Sequence, residues 1–276
     1  MDRPDIDFLI IGAAKCSTTW LHASLQQSPN VFMADGEPHF FSRYYDRGFD
    51  WYAEQFPEKR SGLLFGEKSN SYMSEPEAAR RIHDAYPQAR LVALLRNPTA
   101  RAYSDYCMLY RRGTVGAEID DYLDPDRAEF RRFIDDGLYA RQLARFLELF
   151  PREQLLILIF EEFRRDPQPG LDRLARHLGQ PDGSFAPFEG KVKDRAAAMV
   201  PRPIRAALKP LRPILDPIRA TGPIKALRGL VARQVSYPPF KPELARRLDA
   251  YYAADIRDLE ALCGRRIDGW HDAATV

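Results

Sequence analysis

The stretch FLIIGAAKCSTTWLHASL, residues 8–25, decides the fold. An apolar run from Phe8 ends at Gly12, a short loop carries Lys15, and the hydroxyl cluster Ser17, Thr18, Thr19 opens a segment with apolar residues at Trp20, Leu21 and Leu25. A short apolar run closed by glycine suits a strand buried on both faces, and the later spacing suits the packed face of a helix. A strand–loop–helix turn of this kind points backbone N–H groups and the positive end of a helix dipole at one spot, where Lys15 adds a full charge. The segment therefore predicts a phosphate cradle built from Lys15, Cys16, Ser17, Thr18 and Thr19. It is not a standard triphosphate loop, because G-x-x-x-x-G-K-[ST] is absent. Read alone, the same pattern also fits a buried strand followed by an ordinary helix.

Other apolar runs of strand length lie at residues 91–95 and 155–160, with weaker ones at 31–33 and 63–65. Helical patterns cover 19–27, 75–86, 100–110, 139–149 and 170–178, and a last one covers 242–263 and stops at Gly264. Strand and helix in alternation predict an α/β fold, with a P-loop-like central parallel sheet flanked by helices and ligands beyond the carboxyl ends of its strands. With 276 residues, 45% of them hydrophobic, the chain can bury one large core, and residues 1–276 read as a single domain. A formal charge of +2 gives no global attraction to nucleic acid. Three widely spaced cysteines, Cys16, Cys107 and Cys263, form no C-x-x-C and suggest neither a disulfide framework nor a zinc site. The acidic start MDRPDID and the short apolar run behind it argue against a secretory leader, so a cytoplasmic protein is expected.

A second segment, LVALLRNPTARAYSDY at residues 91–106, ends its strand on Arg96, turns at Asn97–Pro98, and brings Ser104 round on the following helix. Arg96 and Ser104 can thus converge on one anion, with the forked guanidinium as the main donor. In nucleoside triphosphatases the corresponding strand usually ends in an Asp that serves Mg²⁺. An Arg there disfavours a metal-assisted kinase and favours capture of a second phosphate. A simple ion pair between Arg96 and a nearby acid such as Asp105 is the other possibility.

Together the two segments resemble the sulfotransferases that use 3′-phosphoadenosine 5′-phosphosulfate (PAPS), the first resembling their 5′-phosphosulfate loop and the second their 3′-phosphate motif. GEPHFFSRYYDRGFDWYAEQFP (residues 36–57), GEKSNSYM (66–73) and the terminal LEALCGRRIDGWH are similar to the heparan-sulfate type of carbohydrate O- and N-sulfotransferases. The resemblance implies a PAPS-dependent enzyme with no metal, acting on a glycan, glycolipid or related carbohydrate-bearing metabolite. It also implies Glu37 as catalytic base, His39 in the active site, and Lys15 and Lys68 on the phosphosulfate. Independently, Glu37 lies in a loop flanked by aromatic residues that limit water, and Lys68 closes a short strand at the sheet's carboxyl edge. Two cations aimed at one developing charge in a dry site are the usual form of electrostatic catalysis. Lys68 paired with Glu67 or Glu75 at the surface is the alternative.

Two departures from the relatives stand out. Cys16 replaces a common Gly, either as a packed small side chain or as a reactive thiol at a helix start. Before the last helix, where relatives place a Lys-Gly-Arg-like element, only Arg233 remains as a cofactor contact. Residues 200–233 are unexplained by the resemblance: eight Lys/Arg against one acid, Asp216, with six prolines among apolar residues at helical spacings. This basic amphipathic insertion fits peripheral contact with anionic membrane, a lid over the acceptor site, or a flap packed on the core. A P-loop-type kinase or nucleotide hydrolase, and a non-catalytic nucleotide-binding module docking on membranes, are the competing functions. Tyr44, Trp51, Tyr52, Tyr139 and Arg141 are candidate acceptor contacts or core residues.

Overall fold

The structure is a computed structural model that describes residues 3–57, 62–190 and 235–271. The insertion at 200–233, and Arg233 with it, lies outside the described residues. Five strands, β1 (Phe8–Gly12), β2 (Val31–Met33), β3 (Leu64–Lys68), β4 (Arg90–Leu95) and β5 (Leu155–Ile159), form one sheet in the order β2-β3-β1-β4-β5 with every pairing parallel. All five β1 residues are buried, as a central strand covered on both faces requires. Strand order reverses about β1, so the loops leaving β1 and β4 open beside each other at the carboxyl edge. The strand at 155–160 is one residue shorter than expected, because Phe160 begins a helix.

The register sets a tight constraint beneath the site. Phe8 of β1 pairs with Gly66 of β3, and a Cβ on Gly66 would fall 2.3–2.6 Å from three Phe8 ring atoms. A glycine at 66 is what lets the Phe8 ring lie across β3.

The helices that place the site are α1 (Thr18–Gln26), α2 (Phe40–Arg43), α3 (Gly48–Ala53), α4 (Ala78–Ala85), α5 (Pro98–Arg112), α6 (Asp120–Leu123), α7 (Arg132–Asp135), α8 (Tyr139–Leu147), α9 (Phe160–Arg165), α10 (Gln168–His177) and α11 (Pro242–Cys263). Helix α5 starts where its sequence dictates: Pro98 occupies the first turn and the Asn97 side chain accepts from the Ala100 N–H at 2.9 Å. Helix α11 ends at Gly264, whose φ of 67° only glycine adopts freely. It packs against α5 and α8, and its Asp255 accepts the N–H groups of Ala140 and Arg141, each at 3.0 Å, so it caps the start of α8. Trp270, nearly fully buried, donates to Glu161, whose other oxygen receives the Asn97 N–H. The chain's end is thereby tied to the turn that follows β4. Among the described residues no helix is long and apolar enough to cross a membrane.

Candidate active site

The loop after β1 has the backbone of an anion cradle. Lys15 and Ser17 sit at φ 70° and 65°, in the left-handed region, on either side of Cys16, whose N–H donates to the Ala13 carbonyl at 3.4 Å; such alternation is the backbone form of an anion-binding nest. The Ser17 side chain makes no capping bond to the first turn of helix α1. Thr18 is buried and Ser17 exposed. Cys16 points the other way, into the core. It is fully buried, burial pushes its thiol up to about 11, and its sulfur lies 3.7 Å from the Tyr139 hydroxyl. Of the two options for Cys16, a packed side chain is the one observed.

Tyr139 donates in turn to the Arg96 carbonyl at 2.8 Å, so one buried phenol links the β1 loop to the β4 loop. Arg96 leaves the carboxyl end of β4 with its guanidinium carbon 5.1 Å from the centre of the Phe160 ring. Ser104 is buried on α5. Asp105 is not the partner of Arg96: it faces Arg132 at 3.3 Å and Arg101 at 3.7 Å. The anion motif of β4 is therefore separate from the ion-pair cluster below it.

Four predicted residues meet at the ends of β2 and β3. Lys68 is 2% exposed; its Nζ lies 2.8 Å from Glu37 Oε1 and donates to the Thr19 hydroxyl at 3.4 Å. The surface pairing with Glu67 or Glu75 is replaced by a buried one with Glu37. Glu37 Oε2 accepts from the Asn70 N–H at 3.3 Å and lies 3.4 Å from His39 Nε2. His39 Nδ1 is 2.7 Å from the Ser71 hydroxyl, which contacts Ser42 at 2.6 Å. Ser42 donates in turn to the His39 carbonyl at 3.2 Å, so the imidazole is fixed through a serine pair on its Nδ1 side. Burial, followed by the Arg43 charge, lowers the His39 pKa against the opposing pull of Glu37. The neutral form of His39 is thus favoured near pH 7, with its ring set between Glu37 and Ser71.

Sequence reasoning missed the supports of this constellation: Ser69, Asn70, Ser71, Ser42 and Glu67. The run Glu67-Lys68-Ser69-Asn70-Ser71 carries polar side chains at every position on leaving a buried strand, and that was the available signal. Of the aromatic candidates, Tyr52 and Tyr139 are fully enclosed core residues. Tyr44 and Trp51 remain partly exposed, with Arg47 stacked on both. A cleft of about 200 Å³ opens beside the constellation, lined by Ala14, Ser42, Arg43, Asn70, Ser71 and Arg132 among others. A larger cleft of about 880 Å³ lies at the amino-terminal edge of the sheet, by Asp7, Arg90 and His177, away from these residues.

Residues 5–190 match the model of the sulfotransferase domain family. The mouse heparan sulfate glucosamine 3-O-sulfotransferase 6 is 36% identical over 182 residues, 62% of this chain and 51% of that protein. The Caenorhabditis briggsae bifunctional heparan sulfate N-deacetylase/N-sulfotransferase 1 is 31% identical over 208 residues, 68% of this chain and 24% of that protein. The chain thus spans about half the length of the first relative and a quarter of the second. Among solved structures, the sulfotransferase from Alicyclobacillus acidocaldarius superposes with a TM-score of 0.73 at 28% identity, covering 99% of this chain and 100% of that one. A mouse sulfotransferase solved with PAP, at TM-score 0.52 and 14% identity over 96% of this chain and 88% of that one, shares the fold alone. The match over residues 5–190 takes in the β1 loop, Glu37, Lys68, Arg96 and Ser104, and by it the chain belongs to the sulfotransferase family.

Proposed function

We propose that this chain transfers a sulfuryl group from PAPS to a hydroxyl, with an amine as the less favoured acceptor, of a carbohydrate-bearing molecule. The observation that carries the reading is the position of one ammonium: Lys68 Nζ touches both the Glu37 carboxylate and the Thr19 hydroxyl at the start of α1. A base and an anion cradle are thereby joined through a single buried charge. The donor set fits a nucleotide phosphorylated at both ends, since Lys15, Lys68, Arg96 and the uncapped α1 offer only N–H donors and positive charge. Lys15 and the backbone of residues 15–19 hold the 5′-phosphate side; Arg96 and Ser104 hold the 3′-phosphate.

PAPS supplies the sulfuryl group and a phosphate leaving group. Glu37 takes the acceptor's hydroxyl proton as the acceptor oxygen bonds to sulfur, and a base so positioned contributes ~10²–10⁴ in rate. Lys68 and Lys15 meet the electron pair left on the phosphate oxygen when its bond to sulfur breaks. His39, neutral and anchored by Ser71, orients the Glu37 carboxylate. The adjoining cleft, lined by the hydroxyls of Ser42, Ser71 and Ser74, the Asn70 amide, two arginines and the two carboxylates Glu75 and Asp136, suits a polyhydroxylated acceptor.

Glu37→Gln tests the reading. PAP affinity by calorimetry should be retained, while turnover of ³⁵S-labelled PAPS with a panel of glycan, lipid and small-molecule acceptors falls by about 10²-fold or more. Turnover equal to the unaltered protein would remove Glu37 as the base.

A further inference from the structure

One buried carboxylate is left over by the proposed chemistry. Glu67 precedes Lys68 on β3, and because side chains alternate along a strand the two point to opposite faces. Lys68 reaches the site; Glu67 is fully enclosed beneath it, in an aromatic layer of Tyr52, Tyr72, Phe40 and Phe41. A carboxylate is costly there unless hydrogen-bonded. Three hydroxyls converge on it: Tyr72 at 2.6 Å and Tyr52 at 3.0 Å on Oε1, and Ser69 at 2.9 Å on Oε2.

The Ser69 contact extends further. The same Ser69 hydroxyl accepts the His39 N–H at 2.8 Å, in a chain running from His39 N–H through Ser69 O–H to the Glu67 carboxylate. His39 sits at φ 52°, a left-handed conformation that costs a β-carbon residue roughly 1–3 kcal/mol and persists only when its surroundings enforce it. That conformation turns the His39 ring toward Glu37 and Ser71 and starts α2.

We propose that Glu67 is a positioning residue, which through Ser69 holds the Glu37–His39 loop in its working conformation. This rests on Glu37 being the base. The ionised carboxylate accepts all three hydroxyls, whereas a protonated one adds a fourth hydrogen to the cluster and forces a donor to turn away. Burial raises the Glu67 carboxyl to about 7, opposed by its hydroxyl donors and assisted by the Glu37 charge. The titratable groups facing it are Tyr52 from α3, Tyr72 from the loop after β3, Tyr86 from the end of α4, and Glu37 from the loop after β2. The tyrosines stay neutral below pH 10, because burial pushes each of them upward. Loop geometry, and with it turnover, therefore strengthens as pH rises through neutrality.

The test uses Glu67→Gln, Ser69→Ala and the double variant in the full chain. Each single change should lower kcat about 10–100-fold, the loss expected when a catalytic group is displaced by about an ångström. PAP affinity should stay within about twofold, and the double variant should be no worse than the poorer single one. The rise in kcat centred near pH 7 should vanish in both. Hydrogen exchange of the His39 amide, which needs no turnover, should accelerate in both. Multiplicative losses, or a His39 amide exchanging at its original rate, overturn the proposal. If no acceptor is sulfated by the unaltered protein, the sulfuryl-transfer reading fails, while the exchange data still decide whether Glu67 holds the loop.

Discussion

Replacing Glu67 by Gln should change how stability depends on pH, and the size of the change follows from the burial of that carboxyl. In the unfolded chain a glutamate ionises near 4.5; in the fold burial holds Glu67 protonated up to about 7. Between these values the native state binds one proton more than the unfolded state, so stability falls as pH rises through the window. At about 1.4 kcal/mol per pH unit, a window of roughly 2.5 units gives a ceiling of about 3 kcal/mol. The Gln side chain has no such titration. Urea denaturation of both proteins at intervals from pH 4.5 to 8 isolates the effect, because all other groups are shared and cancel in the difference. The Gln variant should gain on the unaltered protein steadily up to pH 7 and then run parallel to it. A difference that is flat, or that slopes the other way, would refute both the raised pKa and the argument that the loop-ordering form of Glu67 is the one the fold pays to ionise.

Three further expectations follow from packing and burial. Gly66→Ala forces a methyl group onto the buried Phe8 ring and should destabilise by about 1–3 kcal/mol or more in denaturant titration; an unchanged midpoint would show that β1 and β3 can separate freely. Cys16, fully buried with its thiol raised to about 11, holds only ~10⁻³ of its population as thiolate at pH 8. Iodoacetamide should therefore modify it far more slowly in the native protein than in urea, and equal rates by peptide mapping would contradict its placement. His177, which contacts the Leu91 carbonyl at 3.2 Å, is lowered by burial to about 4. The native state then lacks a proton the unfolded chain binds below about 6.5, so stability is lost as pH falls from 6.5 to 4. His177→Gln should soften that acid-side loss, and an identical acid profile would argue against it.

Much of the architecture was legible because it rests on local rules. The run from Phe8 to Gly12, the Asn97–Pro98 start of α5 and the Gly264 end of α11 follow from burial, capping and glycine's conformational freedom. The short helices α2, α3, α6, α7 and α9 were not legible: at four to six residues they are too short for a hydrophobic period to show and exist because tertiary packing holds them. Individual site residues were visible by motif, but their partners were not. The sequence alone leaves Lys68 between Glu67, Glu75 and a ligand, and Arg96 between an acid such as Asp105 and an anion. The sheet order, which sets β3 beside β1 and β2, brings Lys68 to Glu37 and Thr19, while the turn of α5 and its packing against α7 give Asp105 to Arg101 and Arg132.

By itself, then, the sequence determined the alternating strands and helices, the strand–loop–helix turn at residues 8–25, and which side chains carry charge to the carboxyl edge of the sheet. These depend on near neighbours along the chain. Tertiary structure decided what cannot be read over short distances. It turned Cys16 into the core, put a neutral His39 in a strained conformation beside Glu37, and buried Glu67 beneath three hydroxyls. Each of those outcomes depends on burial, and the first two on contacts between segments 30 and 123 residues apart, in the His39–Ser69 and Cys16–Tyr139 pairs, where desolvation rather than local propensity sets the chemistry.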